Sequence, residues 1–243
     1  MGKIPEVLQR DPMPADGAVE WHTQHASAFD HQYVNNNNFK ERYQTWVEQI
    51  NTYSHQDYAV LDLGCGSGVL TFHAAQKNTS VLGVDGSHEM LKLCQKKKDT
   101  FSIHNATFVQ HHIHSLPQHL DDKFDLILCS SVLEYLDDIH DSFQLISSFL
   151  KRDGALIFSL PNGDSLYRKL QPTIFKLTGL PKYFQHVSHI LTIDDTKQLL
   201  HSLGLRLIDY RFYAQTPLLS PIFRKMGFAQ YSDNLFIAVA KWT

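Results

Sequence analysis

This sequence has few cysteines, no long apolar run and no large excess of charge of either sign. The three cysteines, Cys65, Cys94 and Cys129, are odd in number and lack the spacing of metal ligands, which argues against a disulfide framework or a cysteine zinc site. No apolar run approaches the roughly eighteen residues that a membrane span requires. A net charge of −3 leaves no electrostatic footprint for nucleic acid or an anionic membrane.

The bulk composition predicts one ordinary globular domain. The first residues, MGKIPEVLQRDPMPADG, contain no apolar stretch of the kind found in a secretory signal. Unpaired cysteines favour a reducing compartment, so a cytoplasmic protein is expected. The length of 243 residues and the hydrophobic share of 43% fit a single core. Residues 1–19 are expected to form a flexible arm, and 20–243 a single domain in which 20–50 form N-terminal cap helices.

From residue 58 onward, short apolar runs alternate with helical patterns. This alternation predicts βαβ units and a doubly wound, mostly parallel sheet. The predicted strands are YAVLDL (58–63), SVLGVD (80–85), ATFVQ (106–110), FDLILCS (124–130), ALIFSL (155–160), LRLIDYRFY (205–213) and NLFIAVAKW (234–242). Residues 161–190 and 213–233 interrupt the alternation and are expected to be insertions that line the site where a substrate enters.

The stretch VLDLGCGSG carries the main functional signal. Gly64, Gly66 and Gly68 lie between a strand and a helix, where glycine permits positive φ and close approach of a ligand to the backbone. The spacing is G-x-G-x-G, and Val69 stands where a dinucleotide fingerprint requires its third glycine. Asp85 ends the next strand, where a carboxylate accepts hydrogen bonds from a ribose. A nucleoside ligand is therefore expected at this loop.

These segments resemble the class I S-adenosylmethionine-dependent methyltransferases. VLDLGCGSG matches the first motif of that superfamily, VLGVDGSHEML resembles the second, FDLILCSSVLEYL the fourth-strand motif and LKRDGALIFSLPN the fifth-strand segment. The resemblance extends over residues 28–242. It implies an α/β, Rossmann-like, doubly wound seven-stranded sheet in the order 3-2-1-4-5-7-6 with strand 7 antiparallel. The segment HVSHILTIDDTKQLLHSLGL more loosely resembles ubiquinone-pathway O-methyltransferases.

The resemblance implies S-adenosyl-L-methionine as cofactor, with S-adenosyl-L-homocysteine as its product. Asp62 would orient the ammonium of the methionine moiety, and Asp85 would hold the ribose hydroxyls. His111 and His112 stand where the family usually has Gly-Asp, so His112 and the backbone N–H of Ile113 are expected to contact adenine instead. The implied cofactor-binding residues are Tyr33, Asp62, Gly64, Cys65, Gly66, Gly68, Asp85, Gly86, Ser87, Met90, His112, Ile113 and Cys129.

The implied reaction is an in-line displacement, for which a protein supplies alignment and, for a hydroxyl or amine acceptor, a base. The candidates are His186 and His189 in the first insertion, and Glu134 and Tyr135 after the fourth strand. The expected acceptor is a small hydrophobic or aromatic metabolite, methylated on oxygen or nitrogen. This expectation rests on the apolar side chains of the insertions: Phe175, Leu177, Leu180, Tyr183, Phe184, Tyr213, Leu218, Leu219, Ile222, Phe223, Met226 and Phe228.

Other functions stay open at this point. Base methyltransferases usually carry an Asn/Asp-Pro-Pro-aromatic motif after the fourth strand, where this chain reads CSSVLEYL. A protein acceptor such as arginine would need an acidic pair after Glu134. A non-catalytic S-adenosylmethionine-binding subunit would keep the same glycine loop. No metal is expected, because the HHIH run at 111–114 has no evident fourth ligand, and no nucleic-acid partner or membrane insertion is expected. The sequence does not indicate an oligomeric state.

Overall fold

The computed structural model describes residues 17–24, 26–116, 123–217 and 219–243. The strands are β1 (Ala59–Leu63), β2 (Ser80–Asp85), β3 (Ala106–Gln110), β4 (Phe124–Cys129), β5 (Leu150–Pro161), β6 (Leu205–Gln215) and β7 (Asp233–Trp242). These seven strands form a single sheet in the order β3-β2-β1-β4-β5-β7-β6, with β7 antiparallel to both neighbours. This confirms the predicted architecture.

Helices cover both faces of the sheet, which is why β4 is apolar along almost its whole length. The helices are α1 (Gly17–Gln24), α2 (Ala26–Asn35), α3 (Asn37–Tyr53), α4 (Val69–Ala75), α5 (His88–Thr100), α6 (Ile139–Ser148), α7 (Leu166–Thr178), α8 (Ile193–Ser202) and α9 (Ser220–Lys225). On one face, α3 and α4 contribute Trp46 and Leu70 to a buried cluster. On the other face, α6 and α8 contribute Phe143 and Leu200 to a second cluster.

The N-terminal helices differ in detail from the predicted ones. Residues 17–19, expected in the flexible arm, form the first turn of α1, and residues 1–16 lie outside the described part of the chain. Asn36 alone separates α2 from α3 because its side chain accepts a hydrogen bond from Asn38 N at 2.9 Å and caps α3. Thr23 Oγ1 donates to Ser87 Oγ at 2.8 Å, so α1 lies over the end of β2.

The carboxyl ends of β1, β2 and β4 meet at one edge of the sheet, where a doubly wound fold places its ligands. The glycine loop follows β1, Asp85 ends β2 and Ser130 follows β4. The two insertions contain α7 and α9. Within the described ranges, no helix combines the length and apolar character that crossing a bilayer would demand.

Candidate functional site

The glycine loop between β1 and α4 is held tightly against β2. The backbone N–H groups of Gly64 and Cys65 donate to Val84 O at 2.8 and 3.0 Å. Gly64 has φ of +67°, and a Cβ at this position would lie 2.2 Å from Val132 Cγ2. Only glycine fits such a position, because an L side chain would be strained and would overlap with a neighbour.

Asp85 joins this loop to the start of α5. Its Oδ2 accepts from Gly66 N at 2.8 Å and its Oδ1 accepts from Ser87 N at 2.8 Å. Burial raises the pKa of the Asp85 carboxyl, and the two backbone donors oppose that rise. Each oxygen keeps acceptor capacity beyond its one backbone bond, so Asp85 presents a fixed acceptor to the cavity beside it.

Asp62 lies inside β1 and is 1% exposed. Thr71 Oγ1 donates to its Oδ2 at 2.5 Å. Burial raises the pKa of Asp62 to about 7, while the Thr71 hydrogen bond and the charge of Arg42 lower it. An ammonium group beside Asp62 would favour the ionised form, so this carboxyl is suited to a cationic ligand.

One cavity of about 760 Å³ lies at this edge of the sheet, in the upper part of the range for small-molecule sites. Most of the predicted cofactor residues line it: Tyr33, Asp62, Gly64, Cys65, Gly66, Asp85, Gly86, Met90, His112 and Ile113. Gly68, Ser87 and Cys129 do not line it. Gly68 turns the chain into α4 with φ of +79°, Ser87 caps α5, and Cys129 is fully buried at the end of β4.

Histidines form one wall of the cavity. His111, His112 and His114 all line it. His111 is 3% exposed, and its Nε2 has no partner within the described residues. A Cβ on Gly86 would lie 3.5 Å from His112 Cε1, which places the His112 ring beside the loop that follows Asp85. The described residues contain no group of three side chains able to hold a metal ion.

Glu134 and Tyr135 both line the cavity. Glu134 is 3% exposed, and its Oε2 has no hydrogen-bond partner among the described residues. Burial raises the pKa of Glu134 to about 7, against the lowering effects of its own backbone N–H and of Arg42 and Arg168. Burial also raises the pKa of the Tyr135 hydroxyl. A carboxyl that titrates near neutrality is suited to accept a proton.

His186 and His189, the other two candidate bases, do not line the cavity. His189 Nε2 is 2.8 Å from Leu136 O, and His186 Nε2 is 3.0 Å from the Gln185 side chain. The backbone N–H of Ser188, between them, donates to Glu134 O at 2.7 Å. The segment thus contacts the backbone of Glu134, while its two imidazoles make other contacts.

The expected apolar lining from the two insertions is largely wrong. Of those side chains that the structure describes, only Tyr183 lines the cavity, and Tyr213 belongs to the core at 1% exposed. Phe175 and Phe184 contact each other, with ring centroids 5.4 Å apart. Leu218 lies outside the described residues. The exposed members are Leu177, Leu180, Leu219, Ile222, Met226 and Phe228. The insertions place much of their apolar surface outward.

Two arginines that the sequence analysis missed line the cavity. Arg42 Nη2 donates to Ser130 O at 3.1 Å and to Ser130 Oγ at 2.7 Å, and its Nε has no partner in the described chain. Burial alone would lower the pKa of Arg42, but the surrounding tyrosines and Glu134 raise it overall. The available signal was the spacing: Arg42, Trp46 and Ile50 recur every four residues, which puts a charge on the buried stripe of α3. Arg168 had no comparable signal.

Three comparisons bear on this site. A family profile described as a methyltransferase domain matches residues 54–204. The putative methyltransferase YqeM of Bacillus subtilis (strain 168) is 30% identical over 122 residues, 49% of this chain and 48% of that protein. The ubiquinone biosynthesis O-methyltransferase of Actinobacillus pleuropneumoniae serotype 5b is 33% identical over 106 residues, 42% and 45% of the two chains. The matches thus span about half the length of these curated relatives.

The fold is also similar to that of solved structures. The magnesium protoporphyrin IX methyltransferase of Synechocystis PCC 6803, crystallised with bound S-adenosylhomocysteine, superposes with a TM-score of 0.69 over 94% of this chain and 100% of the other. The sequence identity is 19%, so this likeness concerns the fold alone.

Proposed function

Because the chain belongs to the class I S-adenosylmethionine-dependent methyltransferases, we propose that it methylates an oxygen or nitrogen atom of a small hydrophobic or aromatic metabolite. The observation that carries this proposal is the pairing of two carboxyl groups in one cavity. Asp85 is fixed by the backbone N–H groups of Gly66 and Ser87. Glu134 has a buried oxygen without a partner among the described residues. Asp85 is suited to accept hydrogen bonds from a nucleoside, and Glu134 is suited to accept a proton from the methyl acceptor.

The nucleoside half of S-adenosylmethionine fits the walls around Asp85. Gly64 and Gly66 carry no side chain of their own, so the backbone of the loop on which the cofactor would lie stays open to close approach of a ligand. Asp85 would accept hydrogen bonds from the ribose hydroxyls. Gly86, Met90, His112 and Ile113 would flank the adenine, with the His112 ring in the place of the usual carboxylate.

The methionine half fits the charges around β1 and α3. Asp62 would accept from the ammonium group, and the resulting charge pair would keep Asp62 ionised. Arg42, whose Nε has no partner in the described part of the chain, would donate to the carboxylate. The bound cofactor supplies a sulfonium methyl group that a nucleophile displaces in line.

Glu134 is the base that the geometry favours. It lines the cavity, whereas His186 and His189 do not. A pKa of about 7 lets a substantial fraction of Glu134 be ionised at neutral pH and yet be basic enough to take a proton from a phenol, a hydroxyl or an ammonium group. Tyr135 would shape the wall beside it, because its raised pKa keeps the hydroxyl protonated.

An aromatic acceptor suits the remaining walls. Phe39, Tyr135, Tyr167 and Tyr183 line the cavity, and aromatic rings favour offset or edge contacts with one another and with flat ligands. This support comes from the aromatic side chains in the cavity wall, because the aliphatic side chains of the insertions do not line the cavity.

Two measurements test the proposal. Calorimetry should detect binding of S-adenosylmethionine and S-adenosylhomocysteine and no binding of NAD, because Val69 occupies the position of the third dinucleotide glycine. Transfer of labelled methyl from S-adenosylmethionine into a small-molecule extract should then yield labelled product. Binding of NAD without S-adenosylmethionine would contradict the cofactor assignment. Binding without transfer to any small molecule would favour a non-catalytic subunit or a macromolecular acceptor.

A further inference from the structure

Arg168 is a buried guanidinium in the cavity wall that has only neutral partners. It is 7% exposed and lines the cavity. Its Nε donates to Asn234 O at 3.1 Å, and its Nη1 donates to Gln171 Oε1 at 2.7 Å. No carboxylate in the described ranges forms an ion pair with it. The charge of Arg168 lowers the pKa of the Glu134 carboxyl, but no ion pair joins the two within the described residues. Burying a guanidinium without a hydrogen-bonded counter-charge is costly, so the position favours an anionic ligand.

The choice of buried and exposed side chains on α7 also favours a ligand at Arg168. The helix turns Arg168 and Gln171 inward and leaves Leu170 and Leu177 exposed at 60% and 79%. A helix that packed only for stability would bury its leucines and leave the arginine in water. The inward position of Arg168 is therefore suited to a ligand.

Hydrogen-bond capacity remains on Arg168 for such a ligand. A guanidinium has five N–H donors, and two of them are engaged by Asn234 and Gln171. The remaining donors match the two oxygens of a carboxylate or phosphate. Tyr167 and Tyr183 line the same cavity, and both the charge of Arg168 and that of Arg42 act on Glu134. The anion site, the aromatic wall and the base thus share one space.

We propose that the methyl acceptor carries an anionic group, a carboxylate or a phosphate, and that Arg168 binds this group as an anchor while the atom to be methylated lies at Glu134. This inference rests on the proposed function, because it assigns Arg168 to the acceptor end of that site. The anchor would orient an aromatic acceptor between Tyr167 and Tyr183. It would also discriminate against neutral analogues, which would leave the remaining N–H donors of Arg168 without an anionic acceptor.

The test compares three ligands that differ in one substituent: benzoate, phenyl phosphate and neutral benzamide. Each is titrated into protein loaded with S-adenosylhomocysteine, and binding is followed by protein NMR at constant ionic strength. At least one acid should bind about tenfold or more tightly than benzamide, without displacing S-adenosylhomocysteine. The acid that binds tighter identifies the anionic group as carboxylate or phosphate.

Several results would overturn the inference alone: equal affinity for benzamide and both acids, no binding of either acid, or acids that displace S-adenosylhomocysteine and therefore occupy the Arg42 end. Failure of the protein to bind S-adenosylhomocysteine, measured first on the same sample, would instead overturn the proposed function and this inference with it.

Variants then locate the anion. Arg168→Met should abolish the preference for the acid, whereas Lys169→Met, which removes a charge from the neighbouring exposed residue of α7, should keep it. Arg168→Lys keeps the charge without the planar fork and should reduce the preference several-fold, so it serves if Arg168→Met does not fold. An unchanged preference in a folded Arg168 variant would contradict the assignment.

Discussion

Replacing Glu134 with glutamine is expected to stabilise the cofactor-free protein increasingly as pH rises. Glu134 is 3% exposed, its Oε2 has no partner among the described residues, and burial raises its pKa from 4.5 to about 7. In the unfolded chain the same carboxyl ionises near its ordinary pKa. The folded protein must therefore either hold a proton that the unfolded chain has lost or bury a charge.

The sign and size follow from linkage. Because the folded pKa is raised, the contribution of Glu134 to the free energy of unfolding is full below pH 4.5 and declines as pH rises, until it levels off above about 7. The rise of the pKa from 4.5 to about 7, at about 1.4 kcal/mol per pKa unit, amounts to about 3 to 4 kcal/mol. Glutamine does not titrate, so the stability of Glu134→Gln relative to wild type should rise by about 3 to 4 kcal/mol over this window.

The assay is urea unfolding of both proteins at a series of pH values from 4.5 to 8.5. The quantity tested is how the difference in unfolding free energy between the two proteins changes with pH, because the buried amide of glutamine adds the same offset at every pH. Asp62, whose pKa is also raised to about 7, is present in both proteins, and its contribution cancels. Glu48→Gln removes a carboxylate from a side chain that is 61% exposed and controls for loss of charge. A difference that stays constant across the pH range would refute the reasoning about Glu134.

Three further predictions concern activity and binding. Once an acceptor is known, Glu134→Gln should lower kcat by about 10²- to 10⁴-fold and remove a rise in rate through pH about 7. If His189→Ala lowers kcat instead and Glu134→Gln does not, the base is His189. Asp85→Asn should weaken S-adenosylmethionine binding by about 1.5–3 kcal/mol, roughly 10- to 150-fold, as measured by calorimetry, and an unchanged Kd would exclude Asp85 from the ribose site. Gly64→Ala should unfold at a lower urea concentration than Gly227→Ala. Both glycines have positive φ, but of the two only a Cβ at Gly64 would overlap with a neighbour, Val132 Cγ2 at 2.2 Å. Equal losses of stability in the two variants would mean that the Val132 side chain moves aside.

Neighbouring residues in the chain were enough to predict the strands and the glycine turn, while the order of the strands was implied by the family resemblance. The apolar runs and the helical patterns between them lie within short windows, and the hydrophobic effect requires such runs to be buried on both faces. The turn from β1 to α4 is likewise local, since positive φ is needed wherever the chain closes tightly at Gly64 and Gly66. Asp85 follows from its place at the end of a strand.

The tertiary structure decided which side chains from distant segments share the cavity. Arg42, Glu134, Arg168 and Tyr183 come from segments far apart in the chain, and they share one space only after the sheet has formed. The raised pKa of Glu134 depends on burial by those same distant segments. Helical spacing in α7 shows that the leucines share a face, but it does not show whether protein or solvent lies against that face. The fold leaves that apolar face exposed and turns Arg168 inward, because the backbone of Asn234 and the side chain of Gln171 are there to accept its hydrogen bonds.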